Sequence, residues 1–234
     1  MNYSHEQFAD SGQLAEGVAR QWLELMAQRN KSQPFTVALS GGRFPRAYYK
    51  ALAKQATGES FRNVHFFWGD ERLVPPADEE SNFKLAAVPL LLALKIPDEQ
   101  VHRVLAERDE AFAVAQAEAE ICRIADLDAE GQPMLDLVLL GMGEDGHVAS
   151  LFPSDEAADS PAVYRAVTSP KPPPRRITLG YPALAAAREV WVVLSGNGKA
   201  EALAAAREPD SNLPIARVLR SRTHTRIFTD FDFA

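Results

Sequence analysis

Phe35-Thr36-Val37-Ala38-Leu39-Ser40-Gly41-Gly42-Arg43-Phe44-Pro45 is the segment whose reading decides the fold. Phe35 to Leu39 is a short apolar run rich in strand formers. The two glycines allow a tight turn, and Pro45 suits the first turn of a helix, where its missing N–H costs nothing. The segment reads as strand, glycine turn and helix start.

The same unit recurs along the chain. Val64 to Trp68 reads as a strand running into Gly69-Asp70-Glu71-Arg72, and Leu135 to Leu140 as one running into Gly141-Met142-Gly143. Val190 to Leu194 is followed by Ser195-Gly196-Asn197-Gly198 and a helix carrying Lys199. Helical patterns are expected over Asn82 to Leu94, Glu110 to Leu127 and Ala183 to Arg188. A first amphipathic helix carries Phe8, Leu14, Val18, Trp22, Leu25 and Met26. Apolar strands alternating with helices predict a Rossmann-like α/β fold: a mostly parallel sheet with helices on both faces. Ligands in such sheets bind outside the carboxyl ends of the strands, and all four glycine- or charge-rich segments fall there. Val74 to Ser81 reads as a long loop, and Ser169 to Arg176, with four prolines, as an extended connector.

With 234 residues and 46% hydrophobic content, the chain is expected to form one domain over 1–234. A net charge of −7 without basic blocks argues against a nucleic-acid partner, which phosphate contacts would require. The N-terminus lacks signal-peptide character, and the longest apolar stretch, Ala86 to Leu94, is interrupted by Pro89 and too short to span a bilayer. A cytoplasmic protein without a membrane partner is expected, monomeric or a small homo-oligomer. Cys122, the single cysteine, sits in an apolar helical context and reads as a small core residue.

Three motifs carry chemistry. Ser40-Gly41-Gly42-Arg43 offers backbone N–H groups and a helix N-terminus to an anion, with Arg43 and Arg46 beside them. It has neither dinucleotide-fingerprint nor P-loop spacing. In Asp70-Glu71-Arg72, Arg72 can grip a phosphate bidentately, while the acids can hold it or meet sugar hydroxyls. Gly141-Met142-Gly143-Glu144-Asp145-Gly146-His147 is the sharpest signal. His147 can shuttle a proton at neutral pH, Asp145 can orient its ring or contact substrate, and nearby glycine amides such as that of Gly143 can face an oxyanion. Arg176 and Lys199 add positive charge later in the chain. His5, His65, His102 and His224 form no metal-ligand spacing with His147, and His65 reads as a satisfied sheet histidine. No Gly-x-Ser-x-Gly elbow is present.

These segments resemble the glucosamine-6-phosphate isomerase/6-phosphogluconolactonase family. The resemblance rests on Leu39-Ser40-Gly41-Gly42 through Pro45, on Trp68 to Arg72 with Val74-Pro75 and Ser81-Asn82, and on Gly141 to His147 through Ala149 to Pro153. It continues in Arg176-Ile177-Thr178-Leu179, Gly198-Lys199-Ala200 and Leu213-Pro214. It implies the fold shared by glucosamine-6-phosphate deaminases and ribose-5-phosphate isomerases. Deaminases look like Asp-Glu-Tyr where this chain has Asp70-Glu71-Arg72, so the lactonase branch is the one implied. That branch hydrolyses 6-phospho-D-glucono-1,5-lactone without cofactor or metal, which implies His147 as general base with Asp145. The phosphate would be held by Ser40, Gly41, Gly42, Arg43, Arg72, Arg176 and Lys199, the substrate also met by Asp70, and the oxyanion by Gly143. One departure stands out: many relatives carry small hydroxyl residues after the paired glycines, where this chain has Arg43-Phe44. Two rivals are an amino-sugar-phosphate deaminase or isomerase of the same fold and a non-enzymatic sugar-phosphate sensor.

Overall fold

The computed structural model describes residues 2–153, 155 and 157–233. Met1, Ser154, Glu156 and Ala234, which the one-domain expectation includes, lie outside the described residues. The chain runs β1 (Tyr3–Gln7), α1 (Ser11–Gln28), β2 (Phe35–Leu39), α2 (Pro45–Gln55), β3 (Val64–Trp68), β4 (Asp70–Arg72), α3 (Asn82–Ala86) and α4 (Glu110–Ile124). It continues through β5 (Leu137–Leu140), β6 (Tyr164–Thr168), β7 (Arg175–Leu179), α5 (Tyr181–Ala186), β8 (Glu189–Leu194), α6 (Ala200–Ala205), α7 (Pro214–Ser221) and β9 (Thr225–Thr229).

Six strands form a sheet in the order β1-β9-β8-β5-β2-β3, with every neighbouring pair parallel. Successive strand residues point to opposite faces, and both faces are covered. Val37, Leu39, Leu137, Leu139, Trp191 and Val193 join one core with Leu14, Val18 and Trp22 of α1 and Tyr48, Tyr49 and Leu52 of α2. Ala38, Val138, Leu140, Val192 and Leu194 join the other with Ala113 and Ile121 of α4, Leu184 of α5 and Leu219 of α7. Burial on both faces is why these strands are continuously apolar. The sheet therefore matches the expectation, and the order of strands reverses between β2 and β5. Ligand crevices open at such a switch point.

The second sheet was not expected. β4, β7 and β6 pair antiparallel in that order. Gly69 joins the two sheets: its N–H donates to Leu39 O at 2.8 Å and its carbonyl accepts from Leu179 N at 2.8 Å. Asp70-Glu71-Arg72 is thus a short strand rather than a surface loop. The expected connector Ser169 to Arg176 is the tip of the β6–β7 hairpin, and β7 begins inside it at Arg175. Its charged residues and the neighbouring prolines hid the strand pattern.

Helix limits moved as well. The expected helix over Asn82 to Leu94 is α3 followed by a π-helical turn at Ala87–Leu92, because Pro89 has no N–H for an α-helical bond. α4 ends at Ile124, and α5 begins at Tyr181 after Gly180. Cys122 is half-buried against the core, and burial raises its thiol pKa. His65 is half-buried in β3 with its Nδ1 2.9 Å from His102 Nε2, a satisfied sheet histidine as expected.

Candidate active site

A cleft opens over the carboxyl ends of β2 and β5, at the reversal of strand order. It is lined by Ser40, Gly41, Gly42, Arg43, Phe44, Pro45, Asp70, Arg72, Gly141, Met142, Gly143, His147, Ala149, Arg176, Val193 and Lys199. Ten of the eleven residues selected from the sequence line this one cleft. The eleventh, Asp145, sits behind His147 and hydrogen-bonds its Nδ1.

The β5–His147 loop is shaped around that pair. Gly146 has φ +75°, and Leu213 packs about its α-carbon. A Cβ on Gly143 would lie 2.2 Å from His147 ring atoms and 2.5 Å from Asp145 Oδ1. Glycine at 143 is therefore the space in which the histidine–carboxylate pair sits. Its amide does not have the expected oxyanion role free, since Gly143 N donates to His147 O at 2.9 Å. The ring also packs against Phe152, with centroids 4.8 Å apart. With Nδ1 engaged by a carboxylate acceptor, the Nδ1–H tautomer is favoured and Nε2 keeps the lone pair. Burial would push the Asp145 carboxyl up, but the His147 hydrogen bond and charge, with Lys171, hold it down to about 2.

The β2 turn has a different logic. Ser40 is buried, its hydroxyl 2.9 Å from Tyr48 Oη, and its backbone N–H and carbonyl both engage Tyr49 Oη. Ser40 thus anchors the turn to α2, and its hydroxyl is already partnered. Gly42 has φ +101°, which glycine adopts without strain. Gly41 admits no side chain, because a Cβ would fall 1.8 Å from Asn82 Oδ1. Asn82 Nδ2 in turn donates to Asp70 O at 2.9 Å and lies 3.2 Å from Asp70 Oδ1. Asn82 was passed over in the sequence except within the family motif. Only its position across from Gly41 gives it meaning.

β4 divides its three charges between roles. Glu71 faces away from the cleft and is buried; it accepts from the N–H groups of Arg72, Asn82 and Phe83 and from Ser81 Oγ. It ties the next helix to the strand, and burial raises its pKa against those hydrogen bonds. Asp70 accepts from Ser150 Oγ at 2.6 Å, and Ser150 receives Arg176 Nη1 at 3.4 Å. Arg72 donates to Glu80 O at 2.7 Å, and its buried Nε has no hydrogen-bond partner among the described residues.

The small sheet places Arg72 and Arg176 opposite each other in register. Burial, together with Arg72, lowers the Arg176 pKa, and Asp70 and Glu80 oppose the shift. Burial also lowers the Lys199 pKa, with Arg43 acting in the same sense against Asp230 and Glu144. No ion-pair or hydrogen-bond partner of the Lys199 ammonium occurs among the described residues. Cations lowered by burial and by one another are stabilised by an incoming anion. Among the described residues, no group of three or more histidine, cysteine or acidic side chains is arranged to hold a metal ion.

The family model for glucosamine-6-phosphate isomerases/6-phosphogluconolactonase matches residues 9–228. The chain belongs to this family. Within it, a 6-phosphogluconolactonase of Mycobacterium tuberculosis is 40% identical over 217 residues, covering 88% of this chain and 86% of the relative. The solved structure of 6-phosphogluconolactonase from Trypanosoma brucei superposes with a TM-score of 0.87 at 27% identity, covering 97% of this chain and 95% of that one. A monomeric glucosamine-6-phosphate deaminase of the NagB superfamily gives a TM-score of 0.81 at 18% identity, covering 98% and 97% respectively. That last likeness is one of fold. It bears out the shared architecture that the sequence motifs implied.

Proposed function

We propose that this chain hydrolyses 6-phospho-D-glucono-1,5-lactone to 6-phospho-D-gluconate, the second step of the oxidative pentose phosphate pathway, with His147 as general base. The observation that carries the reading is the pairing of His147 Nδ1 with Asp145 in a cleft whose other charges are mainly cationic. Nε2 accepts a proton from water as that water attacks C1. The same ring then returns the proton to the departing ring oxygen, so the proton count balances. Proton transfer of this kind contributes about 10²–10⁴-fold.

Arg72 and Arg176 hold the phosphate from the small sheet, with Arg43, Lys199 and the Ser40–Gly42 turn lining the same cleft. Asp70 aligns Arg176 through Ser150. A tethered phosphate keeps C1 close to His147, which is where binding energy lowers the barrier. Arg72 in place of the deaminase tyrosine supports the lactone over an amino-sugar phosphate. The reading extends to a cytoplasmic enzyme acting as one domain, monomeric or a small homo-oligomer. No helix among the described residues is long and apolar enough to cross a membrane.

The test is a coupled assay for 6-phosphogluconate from freshly generated lactone, corrected for spontaneous hydrolysis. Turnover is expected, and it should be lost in folded His147→Ala. Ammonia released from glucosamine 6-phosphate, or binding of 6-phosphogluconate with no turnover, would overturn the reading.

A further inference from the structure

The tip of the β6–β7 hairpin is held from below by a residue of the cleft. Arg176 Nε donates to Pro173 O at 3.1 Å, and Nη2 lies 3.5 Å from the carbonyls of both Lys171 and Pro172. Lys171 leaves this tip toward the β5–His147 loop, where its Nζ donates to Asp145 Oδ2 at 3.1 Å. The other oxygen of Asp145 binds His147 Nδ1. One carboxylate thus joins two segments 26 residues apart in sequence. A carboxylate with one free oxygen could turn about its χ angles and carry the ring with it. Lys171 removes that freedom.

We propose that Lys171 is a positioning residue for the hydrolysis: from a tip braced by Arg176, it pins the outer oxygen of Asp145 and so sets the His147 ring. The proposal rests on His147 acting as the base. Lys171 does not line the cleft, so it acts through Asp145 and not on the substrate.

The ammonium also offsets the negative charge that Asp145 presents to the ring. Besides Asp145, the charged groups sharing the cleft with His147 are Arg43, Asp70, Arg72, Arg176 and Lys199. Among the described residues, Asp145 alone hydrogen-bonds the ring. An exposed pair does little for stability, so the effect belongs in the kinetics and not in folding.

The experiment measures kcat and kcat/KM on freshly generated lactone across mildly acidic to neutral pH. It compares the wild type with Lys171→Met, Lys171→Arg, Asp145→Asn and the Asp145→Asn/Lys171→Met double variant. Lys171→Met should lower kcat about three- to tenfold, as for one lost hydrogen bond of ordinary net strength in a partly exposed pair, with KM nearly unchanged. Lys171→Arg should restore kcat. In the Asp145→Asn background, Lys171→Met should add nothing. An unchanged kcat, a rise in KM alone, or an equal loss in the Asp145→Asn background would each overturn the proposal. His147→Gln separates the two readings. If it keeps wild-type turnover, the base assignment itself fails; if it is inactive while Lys171→Met is unchanged, only the role of Lys171 fails.

Discussion

Gly143→Ala places one methyl group into the space that seats the His147–Asp145 pair. The new Cβ would stand 2.2 Å from Cε1 and Nδ1 of His147 and 2.5 Å from Asp145 Oδ1. Ordinary carbon contacts lie near 3.5–4.0 Å, so ring and carboxylate must retreat by more than about 1 Å. A displacement of about 1 Å at a reacting group can cost about 100-fold in rate. The Asp145 hydrogen bond to the ring, about 1.5–3 kcal/mol for a charged partner, would be weakened by the same movement. Arg72 and Arg176 stand on the other sheet and are untouched. The expected result is a fall in kcat of about 100-fold with KM changed little, measured with freshly generated lactone on protein whose unfolding transition remains cooperative. Wild-type kcat in Gly143→Ala would refute the argument that glycine is present to seat the histidine pair. A loss confined to KM would show that the methyl group disturbs binding instead.

Arg72→Met should raise KM about 10- to 100-fold, as for one lost charge-assisted contact to phosphate, with a smaller change in kcat in steady-state kinetics. Its chain neighbour should behave oppositely. Glu71→Gln turns an amide toward buried N–H donors now satisfied by carboxylate oxygens, costing about 2–3 kcal/mol. By calorimetry, Tm should fall by about 5–10 °C. Burial, then the charge of His65, lowers His102 from its ordinary value of 6.5 to about 4, against Glu120. Between those values the unfolded chain binds a proton that the folded chain refuses, so stability present above pH 6.5 is lost as pH falls toward 4. After solvent screening the loss is about 1–2 kcal/mol. Urea denaturation at a series of pH values should show this slope in the wild type and a flatter one in His102→Gln.

The parts of this protein legible in its sequence are those where local chemistry and final environment agree. β2, β3, β5 and β8 are buried on both faces, so their apolar runs announced them, and the glycine turns after β2 and β5 marked the carboxyl ends where ligands bind. His147, Asp145, Arg72 and the Ser40–Arg43 turn were legible because few other reasons place such residues at strand ends. The edge strand β1, Tyr-Ser-His-Glu-Gln, carries no such pattern, since half-exposed residues on an edge need none.

Tertiary structure alone decided what depends on contacts between distant segments. The β4-β7-β6 sheet joins residues about 100 apart in the chain, and its strands carry arginines that disguise them as loop. That sheet sets Arg72 against Arg176, gives buried Glu71 a structural place beside Asp70, and brings the Lys171 tip to Asp145. Gly143 shows the same division. The sequence offered its amide as an oxyanion donor, but folding commits that amide to His147 O and leaves an empty Cβ position for the ring. Residue type limits which interactions are available; packing and hydrogen-bond satisfaction across the fold determine which of them form.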